Sequence, residues 1–212
     1  MPKEQKLDNK KLKEILKKIN TDPKTRDIYN SKLQRIMNFL RDTTGFKIAA
    51  VKEGGSRGKQ TDIRTSDLDI PFCTGKDQNK KIVRKDLLKR AEKGFKQIAK
   101  VHLSSKAVQI DFFNPKCHVD VVYLSNQEFQ RENKEISQIS NLRPLQKKAI
   151  KLAKYALDKD KQKNIASYEI ELEGLTFKYN TLSESVYHLI YYFSGRIKQN
   201  GSTVDKVLRF LK

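Results

Sequence analysis

The sequence predicts an α+β fold in which strands and helices mix up to about residue 130 and helices alone follow. Three observations predict it. Short alternating strand patterns are confined to residues 46–124, helical periodicity brackets them on both sides, and past Asn126 no strand pattern returns. With 37% hydrophobic residues, including ten Phe and eight Tyr, a chain of 212 residues can bury one sizeable core or two small ones.

The elements follow in order. Leu12, Ile15, Leu16 and Ile19 recur at helical spacing in a lysine-rich stretch and give an amphipathic first helix. Thr21-Asp22-Pro23 marks a stop and a fresh start, with proline at a first helical position. Ile28, Leu33, Ile36, Met37 and Leu40 form the stripe of a second helix, which Gly45 ends. Phe46 to Val51 reads as a strand and runs straight into the loop Glu53-Gly-Gly-Ser. Leu68 to Phe72 reads as the next strand, in which Pro71 needs a place without a ladder hydrogen bond. A periodic helix is predicted over Ile82–Ala99. Two strands, Ala107–Phe113 and Cys117–Leu124, flank the turn Asn-Pro-Lys as a hairpin. Helices are then predicted over 127–137, 144–157, 165–179, 182–193 and 203–211, with Gly195 and Gly201 punctuating the last connection.

Charge and cysteine usage bound the function. Lys and Arg total 45 against 25 acidic residues, a surplus of 20 positive charges that points to a polyanionic partner. Cys73 and Cys117 form neither a disulfide framework nor a CxxC site, and each lies in an apolar stretch. His102, His118 and His188 lack metal-ligand spacing, which excludes a zinc site; His118 and Cys117, being adjacent on a strand, face opposite ways. There is no apolar run of membrane-spanning length and no secretory leader, so an intracellular protein, nuclear or cytoplasmic, is expected.

The chemistry concentrates in "EGGSRGKQTDIRTSDLDIPF", Glu53 to Phe72. Asp67 and Asp69 are two apart and project from one face, where they repel unless a cation sits between them. Oxygen-only sites of that kind suit Mg²⁺. Asp120 lies among Val119, Val121 and Val122 and is the candidate third ligand, with Asp111 as its competitor. Gly54 and Gly55 let backbone amides approach phosphate closely, and Ser56 adds a hydroxyl. A P-loop is excluded, because Glu53 stands at its first glycine and Gln60 replaces its Ser or Thr.

A strand, Gly-Gly-Ser, ten further residues, Asp-x-Asp on a second strand and an Asp on a later one resemble the polymerase-beta-like nucleotidyltransferases. The wording "GGSRGKQTDIRTSDLDI" is most similar to the branch of 2′-5′-oligoadenylate synthetases, cyclic-dinucleotide synthases and archaeal CCA-adding enzymes. "LRPLQKKAIKLAKYAL" with "IASYEIELEGL" resembles two helices of the same branch, so the likeness spans about residues 25 to 180.

The resemblance implies a nucleotidyltransferase fold, a mixed β-sheet flanked by helices followed by a small all-helical lobe. It implies a catalytic domain over 1–130, with N-terminal helices in 1–45, and a helical domain over 131–212. Gly54, Gly55 and Ser56 would meet the β- and γ-phosphates of an NTP such as ATP, and Asp67, Asp69 and Asp120 would bind Mg²⁺ or Mn²⁺ and activate the acceptor hydroxyl. Lys154, or Lys151 one turn earlier, would face the triphosphate, and Ser167 and Tyr168 would lie near the nucleotide. The expected reaction is transfer of NMP from NTP to a hydroxyl of RNA or another nucleotide. The alternative is an inactive, basic subunit that binds RNA or DNA among protein partners, as in an RNA-processing or methyltransferase complex. The charge surplus and the short reach beyond the last helix favour that alternative; the unbroken carboxylate set favours catalysis.

Overall fold

Register in the central strands follows from which of their side chains must leave water. In the computed structural model, which describes residues 7–43, 45–64, 66–177 and 179–212, β1 (Ile48–Val51), β2 (Leu68–Thr74), β3 (Ala99–Leu103), β4 (Val108–Phe112) and β5 (Cys117–Tyr123) form one mixed sheet in the order β1-β2-β5-β4-β3. The β2–β5 pair is parallel and the other three pairs are antiparallel. Leu68, Ile70 and Phe72 of β2, Val119, Val121 and Tyr123 of β5, and Val108, Ile110 and Phe112 of β4 are all buried in one core. A slip of one residue would turn that whole set to the other face, so the apolar alternation fixes the pairing.

The helices are α1 (Asn9–Ile19), α2 (Pro23–Thr43), α3 (Gly55–Gly58), α4 (Lys80–Phe95), α5 (Asn126–Ser140), α6 (Pro144–Lys159), α7 (Ser167–Thr176), α8 (Leu182–Tyr192), α9 (Ser194–Gln199) and α10 (Val204–Leu208). Local chemistry sets several of their ends. Asn79 caps α4 by accepting from the amides of Lys81 and Ile82. Ser125 and Glu128 form a reciprocal capping box at the start of α5, and Thr181 and Glu184 do the same for α8.

The chain folds as two units, each of them discontinuous. The sheet unit comprises Asp22–Lys59 and Ser66–Ile136. There α2 contributes Ile36, Phe39 and Leu40, and α4 contributes Val83, Leu87, Ala91 and Phe95, to the core beneath the sheet. The helical unit comprises Met1–Thr21, Gln60–Thr65 and Ser137–Lys212. Its core joins Leu12, Leu16 and Ile19 of α1 to Ile150, Leu152 and Ala153 of α6, Val186, Leu189 and Ile190 of α8, and Ile63.

Four sequence expectations change. The division falls inside α5 rather than at residue 130, and α1 belongs with the helical unit because its apolar stripe is buried there. The helix expected over 82–99 stops at Phe95, and Ala99 opens β3, a strand that periodicity alone concealed. Ile98 and Ala99 continue the helical stripe of Phe95, while β3 pairs only with β4 and exposes Lys100, so its alternation is faint. A sixth C-terminal element, α9, stands where two glycines suggested a plain connection. The helix expected over 165–179 is shorter, Ser167–Thr176, and residue 178 lies outside the described residues. Pro71 does occupy a strand paired on both sides, but just past the β1 ladder, where its carbonyl accepts from the Lys52 amide at 3.2 Å.

The glycine-rich run itself divides. Gln60 to Arg64 is anchored in the helical unit: Arg64 donates to the Ile19 carbonyl at 2.7 Å, Thr21 donates to Asp62 at 2.6 Å, and Thr61 donates to Glu171 at 2.5 Å. Glu171 also forms a salt bridge with Lys154, both side chains being almost fully buried. Removing one member of such a pair leaves the other charged and dry. Glu171→Ala should therefore destabilise the protein by about 3–5 kcal/mol in chemical denaturation, and replacing both residues with methionine should cost much less.

Candidate active site

The carboxylates are brought together by the parallel pairing of β2 and β5. Asp69 lies opposite Asp120 in register, between the pairs Leu68–Val119 and Ile70–Val121. Neighbours paired in a sheet share a face, so the buried flanks of both residues force two like charges side by side on the face away from the core. Asp67 stands one residue before β2 and, by the two-residue period, joins them.

The glycine turn packs directly on this strand. The Gly54 amide donates to the Asp69 carbonyl at 2.8 Å, and a Cβ there would lie 2.5 Å from the Pro71 ring. Gly55 has φ +53°, and a Cβ on it would come within 1.8 Å of Asp69 Oδ2. Gly54 therefore shapes the turn, its amide already engaged, while Gly55 is the residue that touches the carboxylate. Ser56 follows within the first turn of α3.

Electrostatics registers the crowding. Burial, together with the charges of Asp120, Asp67 and Glu132, pushes the Asp69 carboxyl up to about 7, against the opposing pull of Lys59. Asp67 is raised too, by burial first, with Asp120 and Asp111 adding and His118 opposing. Among the described residues no three ligands are already gathered into a metal cage. The donor set nevertheless fits a hard divalent cation: oxygen ligands only, on one face, with the charge of Asp120 disfavouring ionisation of Asp69 and Asp67.

Two features escaped the sequence reading. Lys59 is buried, lies 3.7 Å from Glu135 and partly offsets the charge on Asp69. Beside Asp120 a polar network covers the adjoining strands. Gln109 Nε2 donates to Asp120 Oδ1 at 3.0 Å, His118 Nε2 is 3.2 Å from the same oxygen, and His118 Nδ1 is 2.6 Å from Asp111 Oδ1. Burial alone would lower His118, but its bond to Asp111 and the charges of Asp120 and Asp67 outweigh that and raise it. The signal was present in the alternation of "VQIDF" and "CHVDV", which puts Gln109, Asp111, His118 and Asp120 on one face. Asp111, the competitor for the third position, is one strand further from Asp69 than Asp120.

Gly54, Gly55, Ser56, Asp67, Asp69 and Asp120 thus lie in the sheet unit, whereas Lys154, Ser167 and Tyr168 lie in the helical unit. There Lys154 is held by Glu171 and by the Thr61 hydroxyl at 3.3 Å. Lys151 is 3.9 Å from Asp62. Lys154 and Ser167 line one cavity of about 390 Å³, and Tyr168 is 56% exposed.

No protein-family model and no curated protein matches the chain in sequence. Solved structures do match it in shape. CdnC of E. coli MS115-1, solved with ATP, is 19% identical with a TM-score of 0.66, over 90% of this chain and 73% of that one; CdnC was also solved in complex with HORMA-deltaN. The CdnE cyclic dinucleotide synthase of Elizabethkingia meningoseptica, solved with GTP and Apcpp, is 16% identical with a TM-score of 0.61, over 86% of this chain and 89% of that one. The Cid1 poly(U) polymerase, bound to Mg and 3′-dATP, is 12% identical with a TM-score of 0.67, over 87% and 72%. The chain has the polymerase-beta-like nucleotidyltransferase fold.

Two predictions follow from the geometry. The folded protein keeps the Asp69 proton up to about pH 7, whereas the unfolded chain releases it near 3.8. In that window the folded state binds more protons, so this group's contribution to stability falls as pH rises. Without divalent ions, Asp69→Asn should stabilise the fold by about 1–3 kcal/mol at pH 8, seen as a rise of roughly 2–4 °C in Tm per kcal/mol, and by little at pH 4. Gly55→Ala should lower Tm, since neither the turn nor the carboxylate can stay in place, and Asp69→Asn should not rescue it because the positive φ remains.

Proposed function

We propose that the protein is a divalent-metal-dependent nucleotidyltransferase that moves a nucleoside monophosphate from an NTP to a hydroxyl of RNA or another nucleotide. The observation that carries this reading is the in-register pair Asp69 and Asp120, with Gly55 packed on the first of them. Like charges forced together on an otherwise apolar scaffold cost stability, and a phosphate-bound cation is what relieves them.

Asp67, Asp69 and Asp120 would hold Mg²⁺ or Mn²⁺, which when bound neutralises the triphosphate and activates the acceptor hydroxyl. The chain's own groups do the positioning. Gly55, lacking a side chain, lets phosphate approach the strand that carries Asp69, and Ser56 offers a hydroxyl beside it. Asp120 Oδ1 is engaged by Gln109, leaving Oδ2 as the oxygen that meets the acceptor. Lys59 offsets part of the negative charge on Asp69. Lys154, Ser167 and Tyr168 are assigned to the nucleotide on the resemblance of their helices, and for Lys154 that role requires exchange of its partner Glu171.

Incubating the protein with Mg²⁺ or Mn²⁺, labelled NTPs and RNA or nucleotide acceptors should yield labelled products and pyrophosphate. Asp67→Ala with Asp69→Ala should lower turnover by about 10³-fold or more, the scale of several kcal/mol of lost charge stabilisation. Chelation should abolish it. Mg²⁺ should also raise the Tm of the wild type and leave that of the double variant unchanged. Salt-sensitive RNA or DNA binding that the double variant retains, with no turnover of any NTP by the wild type, would establish the non-catalytic subunit instead.

A further inference from the structure

The turn of the β4–β5 hairpin borders an open cavity of about 500 Å³ lined by Asp111, Phe112, Phe113, Lys116, Cys117 and His118. That is ample for one nucleoside. Phe113 leaves 59% of its surface exposed, although the neighbouring Phe112 is buried in the core. An aromatic ring kept in water at the edge of a cavity, with an imidazole, a carboxylate and an ammonium around it, has the composition that stacks and orients a heteroaromatic base.

The sheet order says which base. The glycine turn follows β1 and packs on Asp69, on one side of the carboxylate pair. The hairpin lies on the other side, reached through His118, whose Nε2 is 3.2 Å from Asp120. His118 and Asp120 are two residues apart on β5, about 6.4–6.8 Å along the strand, within the span of one nucleoside. On the transferase reading the phosphates of the incoming NTP would lie on the Gly55 side, which leaves the hairpin side for the molecule that is extended.

We propose that this cavity is a subsite for the base of the acceptor nucleotide, stacked on Phe113, with its ribose hydroxyl directed to Asp120. The assignment of the base to the acceptor rests on the transferase reading above; base binding in the cavity does not.

The chain contains no tryptophan, so Phe113→Trp installs a single reporter at an exposed position. Titration of the full-length variant with AMP, GMP, CMP and UMP, in the absence of metal, should give saturable quenching by at least one of them, and none by ribose 5-phosphate. No saturable quenching by any nucleotide, or equal quenching by ribose 5-phosphate, would overturn the subsite. In the transfer assay, Phe113→Ala should raise the acceptor KM by roughly 5- to 100-fold, the effect of losing one base–aromatic stack, with the NTP KM unchanged within about twofold. An unchanged acceptor KM, or an equal rise in the NTP KM, would overturn the assignment to the acceptor while leaving the transferase intact. Quenching without nucleotidyl transfer by the wild type would refute the transferase reading and leave a base-binding cavity.

Discussion

Two strands running the same way, with an aspartate at the matching position of each, are the constraint on which the rest of the sheet unit depends. Asp69 and Asp120 cannot turn away from each other, because Leu68, Ile70, Val119 and Val121 would have to leave the core for them to do so. Burying four branched aliphatic side chains contributes on the order of 1.5–3 kcal/mol each, more than the repulsion of two partly hydrated carboxylates. The core therefore wins, and the charge conflict becomes a property of the fold. The Asp69 carboxyl is raised by its burial first and by that conflict after it.

The surroundings moderate the conflict without removing it. Lys59 pulls the Asp69 carboxyl down, and Gln109 and His118 hold one oxygen of Asp120. None of these supplies a full counter-charge of its own: Lys59 also pairs with Glu135, Gln109 is neutral, and His118 is shared with Asp111. The negative charge of the three carboxylates is therefore only partly offset.

How much of this could be read beforehand depends on the range over which each signal acts. Asp67 and Asp69 needed only a two-residue period, and Gly54-Gly55-Ser56 only its position after a strand. That β2 and β5 would be adjacent and parallel is a long-range fact, and the local pattern around Asp120 said only that it was flanked by valines. The resemblance supplied the pairing, and the shared fold is consistent with it. Lys59 and Lys154 show the opposite failure. In a chain with 45 basic residues composition reads every lysine as solvated, and the resemblance turned Lys154 toward a triphosphate, yet these two are buried on carboxylates, because ion pairing between distant segments leaves no periodicity. The strand β3 was hidden for a related reason, since an edge strand buries too little to declare itself.

The crossing of the chain between its two units has a bearing on biosynthesis. Leu12, Leu16 and Ile19 leave the ribosome before the partners that cover them, on α6 and α8, which are made more than a hundred residues later. At about 5–20 residues per second the sheet unit can close well before α1 finds its place. For those seconds an amphipathic segment goes uncovered, and the lysines interleaved along it, Lys10, Lys11, Lys13, Lys17 and Lys18, give it a charged face that repels its like.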